Sequence, residues 1–424
     1  MESIKKGNFK FSNVSENIIV FFISFFVFLI LFAPTVLQYI KGIPIFALVV
    51  ISFLMVAKKM TIPIHYRVFI WILIYTTLNF LYLLKGTHDE LDVFLQLLPV
   101  NVIWPIIYIL VLIIPTSRIN KVDLTRIFIL STLLIETFIL YLYFNFMGIL
   151  PTSLLLNLPL GQIINYNFGY INLFSPSITS LFFLLPYVVS ILLTKKNRRR
   201  TVFFYILLLI FGVIISLVSG RRALIAVVLI SPFISFFWTK ISKNNDVKFT
   251  KIIVIVIVMA IISLVFLSTV DIGLRLQNLD TELIKSGTSV RKDQFISLIE
   301  GWKQSPLFGV GYGVNADVVR SANVPGAYEL SYVARLFHMG IVGIVIYFFM
   351  VLWLMRKLIA ITKSNPETGV YIIPLLTGLS SLILAESTNP YMGSFDGLWV
   401  FFYTLAIINN IYLKKSKGRL SDVK

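Results

Sequence analysis

Two adjacent arginines, Arg221 and Arg222, sit in the run Ser219-Gly220-Arg221-Arg222-Ala223-Leu224, which joins two apolar segments with almost no loop. A central arginine in a membrane span costs about 2.5 to 3.5 kcal/mol, less at the interface, and an anionic partner is the usual compensation. A guanidinium keeps its charge and can hold two phosphate oxygens at once, so the pair reads as an anion grip; the alternative is two side chains snorkelling to lipid headgroups. Candidate bases on the same side of the membrane are Glu329, Asp317, Glu386, Asp396 and His338. Glu329 is favoured because it lies in Tyr328-Glu329-Leu330-Ser331-Tyr332, where a carboxylate can take up a proton and the adjacent rings of Tyr328 and Tyr332 offer flat faces to a substrate. Arg320 and Arg335 of the same outer segment complete the substrate-binding candidates. A salt bridge from Glu329 to an arginine such as Arg335 is the structural alternative, and for His338 it is a helix-end position.

The elements that must position these groups are membrane helices. Over 424 residues the hydrophobic fraction is 58%, charged residues make up 13%, and mean hydropathy is +0.91, a composition that no water-facing globular surface carries. Apolar runs long enough to span recur from end to end, and in hydrocarbon only helices or closed barrels satisfy the backbone. Twelve spans are expected, near 18–34, 42–57, 68–84, 98–115, 126–149, 174–194, 201–219, 223–239, 252–269, 337–355, 370–386 and 397–413. The chain therefore reads as one all-α integral membrane domain, with the first run a retained signal anchor and a single long outer loop at 270–336.

The net charge of +18 follows from topology. With the N-terminus inside, 26 of the 37 lysines and arginines fall in alternate, cytoplasmic connections, the positive-inside pattern for an even number of spans and both termini in the cytoplasm. No soluble basic module interleaved with aromatics exists, so nucleic acid is not an expected partner. The long outer loop is neutral, with seven basic and seven acidic side chains between about 269 and 336. Within it, Val290 to Trp302 is expected to form an amphipathic helix whose face of Phe295, Leu298, Ile299 and Trp302 packs on the spans or lies in the membrane interface.

Other residues narrow the chemistry. The chain has no cysteine, and its three histidines, His65, His88 and His338, are far apart, which excludes disulfides, thiol catalysis and a Cys/His metal cluster; no metal or cofactor is expected. Gly309, Gly311 and Gly313 form a G-x-G-x-G run without a strand-turn-helix context, and so read as a tight turn with close backbone approach. Glu136 lies in mid-span, where a carboxylate must face the bundle interior or be neutral.

The segments Leu217-Val218-Ser219-Gly220-Arg221-Arg222-Ala223-Leu224, Val290-Arg291, Gly301-Trp302-Lys303-Gln304-Ser305-Pro306-Leu307-Phe308-Gly309-Val310-Gly311-Tyr312-Gly313, Tyr328 to Tyr332, Gly340-Ile341-Val342-Gly343 and Thr388-Asn389-Pro390-Tyr391 resemble, in that order, the O-antigen polymerase and ligase superfamily. The resemblance covers the second half of the chain; the first six spans share only hydropathy. It implies a GT-C-like helix bundle with a periplasmic active site in a bacterial inner membrane. The activity implied is a metal-independent Wzy-type polymerase that moves a glycan from undecaprenyl diphosphate to a lipid-linked repeat unit. It also implies a chain-length regulator as partner beside membrane lipids. By motif position, the family's diphosphate grip falls on Arg221 or Arg222, with Arg291 a second candidate. The histidine that ligases of the family place about ten residues before the paired glycines is absent here, where Glu329, Leu330 and Ser331 stand, and His338 lies only two residues before Gly340.

Sugar transfer of this kind needs a stabilised leaving diphosphate, one activated acceptor hydroxyl and exclusion of water. Two other readings compete. A ligase acting on a lipid core or a protein is disfavoured by the missing histidine. A flippase for lipid-linked sugars would show ionisable residues along a central path and two repeated halves, and neither is visible.

Overall fold

A computed structural model of the chain describes residues 3–59, 61–88, 90–119, 123–151, 163–167, 170–195, 198–219, 221–242, 249–250, 252–253, 255–259, 261, 283–319 and 328–421. Helices occupy the expected apolar runs: α1 Ser3–Phe32, α2 Gln38–Lys59, α3 Tyr66–Gly86, α4 Leu91–Thr116, α5 Thr125–Phe146, α6 Ile178–Thr194, α7 Arg199–Val218 and α8 Arg222–Ile241. They continue with α9 Leu283–Gln304, α10 Ser331–Ser364, α11 Pro366–Glu386 and α12 Phe395–Ser421. Residues 262–269 of the expected ninth span, and 270–282 of the long loop, lie outside the described residues. Among the described residues eight helices are long and apolar enough to cross a membrane, and Glu16–Phe32 and Ile178–Thr194 are shorter apolar helices. The chain is thus a polytopic helical membrane protein. The stretch after α5 contains a short antiparallel hairpin, β1 Ile163–Asn167 with β2 Tyr170–Phe174, in register Asn165 to Asn172.

α6 is apolar all round because it is the central helix: Leu181 to Val189 are buried without interruption, and the helix packs against both α8 and α11. Hydrocarbon supplies no hydrophobic force between helices, so close approach and hydrogen bonds hold this centre together. Gly378 of α11 lets Phe183 of α6 into the space a Cβ would fill. Ser190 of α6 shares a 2.8 Å hydrogen bond with Ser235 of α8 and accepts one of 3.2 Å from Thr377 of α11. Glu136 of α5 is fully buried against Gly212 of α7.

α10 is broken at Gly340, whose φ of 63° and ψ of −172° are not helical. The backbone groups freed by the break are taken up by the glycine-rich segment. Val310 N–H donates to Phe337 O (3.0 Å) and Gly311 N–H to His338 O (2.9 Å), while Ile341 N–H donates to Pro306 O and Val342 N–H to Leu307 O, both 3.0 Å. Irregular backbone is tolerated at a membrane helix only where protein satisfies it in this way. Gly309 has φ +60°, and a Cβ there would fall 2.4 Å from the His338 carbonyl carbon. Gly309→Ala is therefore expected to lower the melting temperature of the detergent-purified protein: left-handed backbone alone costs about 1–2 kcal/mol for a residue with a Cβ, before the clash. Unchanged thermal unfolding would show that the break does not depend on this contact.

The outer-loop helix packs through a face offset from its apolar one, sharing only Leu298 with it. In α9 the inward face is Gln294, Ser297, Leu298 and Gly301, while Phe295 is 47% and Ile296 42% exposed. The inward face is polar because irregular chain lies on it: Gln294 Oε1 accepts from Glu329 N–H (3.4 Å), and Ser297 Oγ from Val318 N–H (3.1 Å). Leu298 joins Ala316, Tyr328, Ala334 and Phe337 in a small core separate from that of the bundle.

Candidate active-site cavity

The glycine segment, docked between α10 and the end of α3, forms one wall of a cavity of about 590 Å³. Tyr312 N–H donates to Tyr82 O (2.9 Å), and Lys85 Nζ donates to Gly309 O (2.5 Å), which ties the segment to the last turn of α3. Tyr75 and Asn79 of α3 and Gln96 and Asn101 of α4 line a second wall. Tyr328, Ser331, Arg335 and His338 line a third, and Glu386 with Pro390, Met392, Gly393 and Ser394 closes the space from the α11–α12 connection.

At its base Arg335 Nη2 donates to Glu386 Oε1 (3.1 Å), and the guanidinium carbon lies 4.4 Å from the Tyr347 ring centre. Glu386 is fully buried and its second oxygen accepts from Met392 N–H (2.8 Å), which fixes the connection against α11. Asn79 is an interlocking piece: its Nδ2 donates to Tyr75 O (2.8 Å), and its Oδ1 accepts from the Tyr312 hydroxyl (3.2 Å). His338 Nδ1 donates to Gly311 O (2.8 Å), so the ring is held by the same segment that bonds its carbonyl. Burial pushes the phenols of Tyr312 and Tyr328 up from their ordinary range, and the Ala316 N–H donated to the Tyr328 oxygen (2.7 Å) works against that rise.

The candidates from the sequence are only partly brought together. Tyr328, Arg335 and His338 line the cavity together. Glu329 stands between the lining residues Tyr328 and Ser331 and is ion-paired with Arg291 of α9, whose side chain is 52% exposed. A salt bridge from Glu329 to an arginine, the structural alternative to a base, is thus present, with Arg291 as the partner; Arg335, named as an example, pairs with Glu386. Arg221, half-buried, donates to the Tyr391 hydroxyl (3.5 Å), a residue of the connection that closes the cavity, whereas Arg222 is exposed. Tyr332 turns the other way: its hydroxyl donates to Ile383 O (2.6 Å), its ring lies 5.5 Å from Phe348, and it is not among the lining residues. Arg320 lies outside the described residues.

Of the other candidate bases, Asp396 accepts from Lys41 Nζ (2.8 Å) and Thr35 N–H (2.6 Å), which pins the start of α12 to α2, and Asp317 is exposed.

Comparison of the chain with protein-family models and with curated protein sequences returns no match. The site is therefore read from its own geometry.

Sequence reasoning passed over the α3–α4 wall. Asn79, Gln96 and Asn101 interrupt apolar runs, the signal that singled out Glu136, and an amide inside a span is retained where it faces a cavity or a partner.

Proposed function

We propose that the chain is a membrane-embedded glycosyltransferase that polymerises lipid-linked oligosaccharides, passing a growing glycan from undecaprenyl diphosphate to the terminal sugar of a second lipid-linked unit. The observation that carries this reading is convergence: Gly313, Tyr328 and Pro390, drawn from three of the segments that carry the resemblance, line one cavity with Arg335, and Arg221 bonds Tyr391 in the connection that closes it. A cavity of this volume, mostly apolar with a few placed polar groups, suits a sizeable organic ligand. In this reading Glu329 takes the proton of an acceptor hydroxyl, whose oxygen attacks the anomeric carbon of the donor. The bond from that carbon to the diphosphate breaks, and Arg221, Arg222 and Arg291 stabilise the departing undecaprenyl diphosphate without a metal. The same reading places twelve spans in a GT-C-like arrangement in a bacterial inner membrane, with both termini cytoplasmic and the cavity periplasmic, and adds a chain-length regulator as partner. The basic connections on the opposite side and the exposed apolar residues of the helices support that orientation.

The test is reconstitution in vesicles of purified wild type and of Arg221→Ala, Arg222→Ala and Arg291→Ala with lipid-linked repeat units. Wild type is expected to give a ladder of products on a gel. Arg221→Ala and Arg291→Ala are expected to fall at least tenfold, the effect of losing one charge-assisted contact of about 1.5–3 kcal/mol. Folded wild type that makes no ladder but carries the lipid across the vesicle would replace this reading with transport.

A further inference from the structure

The diphosphate and the sugars of such a substrate need different surroundings, and the cavity distinguishes between them. Among the described residues its charged lining side chains are Arg335, Glu386 and Glu90, one cation against two anions. The cation is already neutralised by a 3.1 Å ion pair. The pair cancels, so a diphosphate entering such a space meets the remaining negative charge of Glu90 and, among the described lining residues, no free cation.

What the cavity does offer is hydrogen-bonding capacity left over. Ser331 Oγ and Arg335 Nε are buried and have no hydrogen-bond partner among the described residues. They stand four residues apart on α10, hence on one face of the helix, and both line the cavity. A buried donor left unsatisfied costs about 1–3 kcal/mol, so an arrangement that keeps two of them on one cavity wall is built to have a ligand complete it. The rings of Tyr75, Tyr312 and Tyr328 lie around the same space, flat apolar surfaces of the kind that sugar C–H faces cover.

We propose that this cavity is a subsite for an uncharged sugar of the acceptor unit, its hydroxyl oxygens accepting from Ser331 and Arg335, and that the diphosphate stays outside it. The assignment rests on the glycosyltransferase reading for the identity of the lipid-linked ligand. It adds a division of labour between arginines: Arg335 serves hydroxyls, while Arg221 and Arg291 on the borders serve phosphate.

Because the chain has no cysteine, Ser331→Cys introduces a single, nearly isosteric thiol into the cavity. Its reaction with N-ethylmaleimide is timed in lipid nanodiscs, alone, with undecaprenyl diphosphate, and with the sugar-bearing lipid extracted from the producing membranes. Phe295→Cys, on the exposed face of α9, reports non-specific shielding. The sugar-bearing lipid is expected to slow Ser331→Cys by about tenfold at a concentration ~10 times its dissociation constant, with undecaprenyl diphosphate and Phe295→Cys showing little change. Equal slowing by undecaprenyl diphosphate would make the cavity a phosphate site and overturn the proposal. Absence of slowing by either lipid, or a thiol that never reacts, would also end it. A second readout uses charged thiosulfonates: the cationic reagent is expected to react faster than the anionic one, and the reverse order would contradict the charge reading. Protection without a product ladder would remove the polymerase reading and leave the subsite; a ladder without protection would do the opposite.

Discussion

Arg335→Ala is expected to cost about 3–5 kcal/mol of stability, because it leaves the buried Glu386 carboxylate without its charged partner, held by backbone N–H donors such as that of Met392, and removes the cation from the Tyr347 ring. The loss is read as early melting of the detergent-solubilised protein and a reduced monodisperse fraction by size-exclusion chromatography. The paired variant Arg335→Met with Glu386→Leu is expected to recover most of it, since apolar residues of similar volume replace a buried pair at little or no net cost. A double variant no more stable than Arg335→Ala would show that the pair is not what holds α10 to α11.

Glu329→Gln is expected to leave the protein folded and to slow polymerisation by about 10²–10⁴-fold, the usual worth of a positioned general base. Its ion pair with Arg291 is half open to solvent and so contributes about 0–1 kcal/mol, too little for unfolding to account for such a loss. Melting temperature and ladder rate measured on the same preparation separate the two effects. A ladder formed at near wild-type rate would reduce Glu329 to a tether for α9 and move the search for a base to His338, whose Nδ1 is occupied by Gly311 O.

Much of the scaffold was legible because a membrane helix is specified locally. A run such as Tyr66 to Gly86 has no other way to satisfy its backbone in lipid, whatever surrounds it. The turn at Gly309, Gly311 and Gly313 was legible for a similar reason, since closely spaced glycines mark backbone that departs from helix and strand; all three have positive φ. The break at Gly340 was not. It sits inside a continuous apolar run, and it exists only because Pro306 to Gly311, some thirty residues earlier, supply the hydrogen bonds that an intact helix would make for itself. The rotated face of α9 was hidden for a related reason. Hydrophobic periodicity located Phe295 and Ile299, but the face that packs was chosen by backbone N–H groups of irregular chain seeking Gln294 and Ser297.

The candidate site divides along the same line. Residue type and membrane side marked Arg221, Glu329, Arg335 and His338 as groups able to bind anions or move protons, because charge and acid–base capacity belong to the side chain, while Arg291 was marked by the resemblance. Which arginine pairs with which carboxylate belongs to the fold. Glu329 meets Arg291 and Glu386 meets Arg335, pairs separated by 38 and 51 positions in the chain, and a Coulomb interaction decided at a few ångströms leaves no trace in local pattern. The polar wall of Asn79 and Asn101 likewise became part of a site only when α3 and α4 were set against α10. The sequence by itself determined that this chain lives in lipid, where its helices run, and which side chains are capable of chemistry. The tertiary structure alone decided where α10 breaks, which charges cancel and which donors remain open, because each of those depends on groups that only folding brings within hydrogen-bonding reach.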